Sequence, residues 1–297
     1  MNLLTRAGRR IRSLIASVLR SPEEGAFRPG HYYSSVPSRE DVERGLRAMH
    51  APPLLVDIDL QRAEQFALLQ QLAHYYPDQP FSDEPQDGLR YHFNPAWFGH
   101  SDAILLHAFL RHFRPQRIVE IGSGFSSAVM LDTADRFPGC WSQVTFIEPD
   151  PNRLLALLKP EDQTRVTLLR TPAQEIDRSI FTALKCGDLL FIDSSHVLKF
   201  GSDLHRILFD ILPSLSVGVH VHFHDIFFPF EYPAEWLQDG RYWNECYFIR
   251  AFLSGNRNWK ITLFNQYVHA EFPDFIEQKL PLCRKSFGGS LYLTRIA

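Results

Sequence analysis

From Ser101 onward, short apolar runs alternate with helix-patterned stretches, and this alternation restricts the fold more than any other feature of the chain. A helical pattern from Asp102 to Phe113 ends at a turn marked by Pro115. Strands are then expected at Arg117–Ile121, Val144–Ile147, Val166–Leu169, Asp188–Ile192 and Gly218–Phe223, with helices at Ser126–Arg136, Pro151–Leu158, Phe200–Leu212 and Trp243–Leu253. Strands this short and this apolar, separated by helices, imply a parallel sheet covered on both faces. Two more strands, Lys260–Phe264 and Ser290–Ile296, have no helical pattern between them to serve as a right-handed crossover. They are read as an antiparallel pair closing the sheet.

Before Ser101 the chain carries turn signals and aromatic clusters. Two helices are expected there: Arg39–His50 with Ser38 as N-cap, and Leu60–Tyr76 opened by Asp59, with Ala63, Phe66, Leu69 and Leu72 on one face. The organisation is therefore read as an N-terminal segment (1–22), a cap (23–100) and a main domain (101–297). The first segment interleaves Arg6, Arg9, Arg10, Arg12 and Arg20 with aliphatic residues and has no acid before Glu23. It reads as a helix packed on the domain or on a partner; a helix lying on a membrane surface and an organelle targeting peptide are the alternatives. No apolar run approaches the roughly 18–20 residues that span a bilayer.

Composition narrows the function classes. A net charge of −3 provides no field that would gather nucleic acid. The four cysteines (Cys140, Cys186, Cys246, Cys283) form no CxxC pair, so neither a disulfide framework nor a zinc cluster is indicated, and a cytoplasmic location is expected.

The first strand runs into Glu120-Ile121-Gly122-Ser123-Gly124-Phe125-Ser126-Ser127. Its two glycines allow a tight turn and a close approach to a ligand before a helix N-terminus. Glu148 closes the second strand, where a carboxylate can hold both ribose hydroxyls. Glu120 helps to choose among nucleotides: a nearby carboxylate repels a pyrophosphate, whereas a donor with an ammonium and a sulfonium is attracted. The structural alternative is a strand-end acid pairing with Arg117 or Arg170.

On these residues the stretch from Arg117 to Arg295 resembles the class I S-adenosylmethionine-dependent methyltransferases, which have ExGxG after strand one, an acid after strand two and a reversed final hairpin. The resemblance implies a Rossmann-like α/β fold and S-adenosylmethionine as cofactor, contacted by Glu120, Gly122, Ser123, Gly124, Glu148 and Asp193. The loop Thr171-Pro172-Ala173-Gln174-Glu175 resembles the adenine-contacting loop of catechol-type O-methyltransferases, which makes Ala173 and Gln174 expected adenine neighbours. In the catechol-type and macrolide-sugar families, acids at the ends of strands four and five bind magnesium, and Asp193 and Asp225 stand at matching positions. The residue beside the second acid is Asn or Glu in those families; here Asp225 is flanked by His224 and Ile226. Magnesium prefers oxygen ligands, so a softer ion held by Asp193, His224 and Asp225, or no metal, is expected instead.

His196 offers a metal-free route as general base, with Asp225 beside it at the acceptor; a hydrogen-bonded structural histidine is the plain alternative. His220, His222 and His224 alternate along strand five, but His220 and His224 would stand roughly 14 Å apart, too far to share one ion. Only His224 is retained as a site residue. The aromatic run from Phe227 to Trp243 is read either as an apolar lid or as packing between cap and core. The expected function is methyl transfer to a small-molecule acceptor, more readily an oxygen. An NAD(P)-dependent oxidoreductase is disfavoured by Ser127 in place of a third glycine and by Glu120; a non-catalytic cofactor-binding relative is the third reading.

Overall fold

A computed structural model describes residues 25–48, 55–94 and 97–297. The basic stretch 1–22 lies outside the described residues. Among those described, no helix is long and apolar enough to cross a membrane.

The described residues divide into two compact units, residues 25–48 with 233–242, and residues 55–94 and 97–232 with 243–297. In the smaller unit, the helix Arg39–Ala48 begins where the sequence places its cap. The Ser38 hydroxyl accepts from the Asp41 amide at 3.1 Å and donates to the Asp41 carboxylate at 2.7 Å. The helix Ala234–Gln238 packs beside it. The segment read as a cap therefore divides: residues 25–48 belong to this unit, and residues 55–94 to the larger one.

The larger unit is built on a seven-stranded sheet in the order β3-β2-β1-β4-β5-β7-β6. Its strands are β1 (Arg117–Ile121), β2 (Gln143–Ile147), β3 (Val166–Leu169), β4 (Leu189–Ile192), β5 (His220–Phe223), β6 (Trp259–Phe264) and β7 (Leu291–Arg295). The first five are parallel, and β7 runs antiparallel to both β5 and β6. β4 and β5 are buried along their whole length, as strands of a doubly covered sheet must be, although β5 alternates histidine with apolar residues. The long helix His100–Phe113, buried from Ser101 to Leu110, packs against the helix Phe125–Arg136.

The link between β6 and β7 differs from expectation. It holds two short helices, Asn265–Glu271 and Pro273–Lys279. Pro273 sits at a helix start, where its missing N–H costs nothing, rather than in a breaking turn. The returning β7 inserts between β5 and β6, so β6 forms the edge.

One buried ion network ties the segment before the sheet to it. Arg90, 1% exposed at its side chain, donates to Asp132, Asp135 and Asp162, each at 2.7 Å.

Candidate functional site

Parallel strands β1, β2, β4 and β5 end on one side of the sheet, and their order brings Glu120, Glu148, Asp193 and Asp225 to that side. In an open α/β sheet this is where ligands bind, next to the point where strand order reverses.

The loop after β1 is held by its neighbours. The Gly122 amide donates to Ile147 at 3.0 Å and the Asp193 amide to Ile121 at 2.8 Å, which pins the ends of β1, β2 and β4 together. Gly122 has φ +80°, and a Cβ there would stand 1.7 Å from the Asp193 carbonyl oxygen. Its requirement for glycine thus comes from the neighbouring strand. Gly124 is extended and caps the helix Phe125–Arg136; a Cβ there would meet the Arg153 side chain at 3.1 Å.

Glu120 is fully buried and pairs with neither Arg117 nor Arg170. Its two oxygens accept from the hydroxyls of Ser126 and Ser127, each at 2.5 Å. Burial pushes its carboxyl up to about 8, helped by Asp193 and Glu148 and opposed by the two serines. Glu148 accepts from the Ser123 amide at 3.1 Å and the Asp150 amide at 2.9 Å. The Ser123 hydroxyl is buried without a protein partner. Ala173 is buried and Gln174 exposed, in the 3₁₀ turn Ala173–Glu175 that follows β3.

At the ends of β4 and β5 the chain takes two unusual turns, since His196 (φ 59°) and Asp225 (φ 57°) both lie in the left-handed region. Such conformations persist only where surrounding structure enforces them, and they gather at functional sites. For His196 the enforcement is visible. Its carbonyl accepts from the amides of Asn244 and Glu245, Asn244 Oδ1 accepts from the Leu198 amide at 2.6 Å, and Asp203 accepts from the Ser195 amide at 2.9 Å and hydroxyl at 2.5 Å. For Asp225 the following amide, of Ile226, donates to Gly289. Gly289 is in turn held by the buried Asp102 carboxylate, which also accepts from Ser290 at 2.6 Å.

The turn at His196 aims its ring between three carboxylates. Nδ1 faces Glu245 Oε2 at 2.8 Å, while Nε2 stands 3.3 Å from Asp193 Oδ1 and 3.7 Å from Asp225 Oδ2. Burial opposes charge on the ring, yet the hydrogen bonds to Asp193 and Glu245 prevail and hold it well above the usual imidazole range. Burial pushes Asp225 up against the pull of His224 and His196. Trp243 flanks the His196 ring, with centroids 4.3 Å apart.

Glu245 is the residue that sequence reasoning missed. The only signal was an acid in the first turn of an expected helix, a common placement against the helix dipole, and nothing local shows that it reaches a histidine 49 positions earlier.

The imidazole that joins both acids is His196, not His224. Donor atoms of Asp193, His196 and Asp225 all lie within 4.8 Å of one another. His224 Nε2 is 3.6 Å from Asp225 Oδ1, and its ring packs against Phe98 and His222. Burial would lower its pKa, but Asp225, Asp193 and Asp102 raise it to about 9. The remaining histidines of β5 are packing residues: His220 Nδ1 meets Thr294 Oγ1 at 2.9 Å, and His222 stacks on Phe191 with centroids 3.8 Å apart. The aromatic run after Asp225 turns inward, with Phe227, Phe230 and Tyr232 all buried.

A family model described as a methyltransferase domain matches residues 119–226, which span the loop after β1 and the turn at Asp225. An uncharacterized protein of Archaeoglobus fulgidus is 32% identical over 166 residues, covering 54% of this chain and 74% of that protein. Among solved structures, a Podospora anserina methyltransferase bound to S-adenosylhomocysteine is similar at 18% identity and a TM-score of 0.43, over 89% of this chain and 99% of that one. A putative O-methyltransferase from Klebsiella pneumoniae is similar at 15% identity and a TM-score of 0.41, over 86% and 96% respectively. Those two likenesses are too remote to bear on substrate. Residues 119–226 thus carry a methyltransferase domain, and the sheet order with its reversed β7 is that of the class I S-adenosylmethionine-dependent methyltransferase fold.

Proposed function

We propose that the protein transfers the methyl group of S-adenosylmethionine to a hydroxyl oxygen of a small-molecule acceptor. The observation that carries this reading is the gathering of Glu120, Glu148, Asp193 and Asp225 at the ends of four adjacent strands. Such a pocket repels a pyrophosphate and attracts a donor that bears an ammonium and a sulfonium.

In this reading Glu148 holds the ribose hydroxyls of the donor, and the unpartnered Ser123 hydroxyl and the Gly122 and Gly124 backbone line its path. Ala173 and Gln174 neighbour the adenine. Asp193 and Glu120 draw the amine. The acceptor lies against His196 and Asp225. As the oxygen attacks, a C–O bond forms, the C–S bond breaks with its electron pair going to sulfur, and the hydroxyl proton passes to Asp225. The His196 ring, fixed by Glu245, places positive charge beside the forming oxyanion. Alignment of the two reactants alone can contribute about 7–11 kcal/mol in well-oriented systems.

Magnesium, as used by catechol-type relatives, is a poor fit. Ile226 is a fully buried hydrocarbon where an oxygen ligand is expected, and His196 brings a nitrogen into the pocket.

The test has two arms. Calorimetric titration should show binding of S-adenosylhomocysteine and none of NADH. Labelled S-adenosylmethionine is then offered with small phenols and sugars and with their amino analogues. Label on the hydroxylated compounds alone supports the reading; label on the amines overturns the oxygen assignment, and no thioether binding to folded protein overturns the donor.

A further inference from the structure

We propose that Arg153 binds the carboxylate at the amino-acid end of the methyl donor and so selects the intact donor over a decarboxylated one; the proposal rests on the donor reading given above.

The argument begins with charge. The amine and the carboxylate of such a donor leave the same carbon, so Asp193 and Glu120, which draw the amine, also face the carboxylate, with Glu148 on the adjoining strand end. Like charges this close oppose binding unless a cation stands beside them. Burial pushes the Asp193 carboxyl up, yet the charges of His224, His196 and Arg153 hold it below its ordinary value. Two of those three cations are committed. His196 is held between Asp193, Asp225 and Glu245, and His224 stands beside Asp225, packed against Phe98 and His222. Arg153 is left: among the described residues no carboxylate lies within ion-pair distance of it, and none of its N–H groups has an acceptor.

Position points the same way. Arg153 is the second residue of the short helix Asn152–Leu157 that follows β2, and its side chain lies along the glycine loop. A Cβ at Gly124 would meet Arg153 Cδ at 3.1 Å, Cγ at 3.8 Å and Nη1 at 3.9 Å. Gly124 is also the N-cap of the helix Phe125–Arg136, whose first amides lack intrahelical acceptors and favour an anion. Beside it the Ser123 hydroxyl is buried without a protein partner. A guanidinium, a helix start and an unpartnered hydroxyl thus meet at one turn.

Aromatic rings, rather than acids, hold the guanidinium there. Its carbon lies 5.2 Å from the Trp97 ring centroid and 5.7 Å from that of Phe125. Contacts of this kind steady the charge without using its N–H donors, so the planar fork stays free for two parallel hydrogen bonds to a carboxylate.

The experiment uses the full chain and calorimetric titration with two thioethers, S-adenosylhomocysteine and its decarboxylated counterpart, which keeps the amine. Wild-type protein should bind the first about tenfold tighter than the second. Arg153→Met keeps an apolar stem beside Gly124 and Trp97 but removes the charge. It should lose that preference by weakening S-adenosylhomocysteine alone, leaving the decarboxylated compound unaffected. Arg153→Lys, which keeps the charge without the fork, should retain part of the preference. Arg170→Met removes the same charge one strand farther out, after β3, and should leave both affinities unchanged. Both arginines are exposed, and urea unfolding checks that each variant is as stable as the parent.

Equal weakening of both thioethers in Arg153→Met would mean that the side chain acts by packing, and it overturns the proposal. So does an unchanged affinity, or a tighter one, which would make Arg153 a cation occupying the donor's place; equal binding of the two thioethers by wild-type protein has the same force. Each of these results leaves the methyltransferase reading standing. A selective loss in Arg170→Met as large as in Arg153→Met reduces the effect to overall charge and also overturns the proposal. If folded wild-type protein binds neither thioether, the donor reading falls and this proposal with it.

Discussion

Replacing Gly122 by alanine tests how the loop after β1 is built. The new Cβ would stand 1.7 Å from the Asp193 carbonyl oxygen, against at least 3.4 Å for ordinary contact, so the ends of β1 and β4 must part by roughly 1.7 Å. They cannot do so freely. The Gly122 amide is bonded to Ile147 and the Asp193 amide to Ile121, and relief strains or breaks both bonds. A φ of +80° costs alanine about 1–2 kcal/mol, and each weakened backbone bond adds about 0.5–1.5 kcal/mol. The expected loss is about 2–5 kcal/mol. Gly139 provides the control: its φ is +88° with nothing within 4 Å of an added Cβ, so Gly139→Ala carries the conformational cost alone. Urea unfolding of both variants separates the two contributions, and titration with S-adenosylhomocysteine reads the displacement of Asp193 as an affinity at least tenfold weaker in Gly122→Ala. Equal stability in the two variants, with unaltered thioether affinity, would refute the close-approach argument.

Glu120 predicts a pH signature. With its carboxyl pushed up to about 8, it is largely protonated at pH 6 and ionises as pH rises, so affinity for the ammonium-bearing S-adenosylhomocysteine should climb from pH 6 and level off above 8. Glu120→Gln should flatten that profile and weaken binding about tenfold at pH 8, near 1.4 kcal/mol; an unchanged profile rules out a role for Glu120 in holding the amine. Arg90→Met leaves the buried carboxylates of Asp132 and Asp162 without their cation and should cost about 3–5 kcal/mol in urea unfolding; a loss below about 1 kcal/mol would mean that Lys159 and Arg165 compensate. His220 is held neutral by burial, its pKa lowered to about 4, while an unfolded imidazole titrates near 6.5. Between those values only the unfolded state takes up the proton, so this residue's contribution to stability is intact above 6.5 and falls as pH drops toward 4. His220→Asn should make that limb shallower by up to about 1.4 kcal/mol per pH unit, measured by thermal or urea unfolding at several pH values; an unaltered slope contradicts a neutral buried ring.

Periodicity and strand-end chemistry are local properties, and they were legible in the sequence. The alternation after Ser101, the glycine loop at Gly122 and Gly124, and the acids closing successive strands each follow from residue order, because parallel strands all end on one side. The helices between β6 and β7 were not legible: each is only seven residues, too short to establish a helical period. Tertiary structure alone decided the rest. His224 and His196 both stand at strand ends, but a left-handed turn tied down by Asn244, Glu245 and Asp203 carries the His196 ring to Asp193 and Asp225, while packing against Phe98 holds His224 aside. Glu245 joins that site from a helix 49 residues farther along. Gly122 must be glycine because β4 lies against it, a contact set by strand order rather than by any residue near it in the chain.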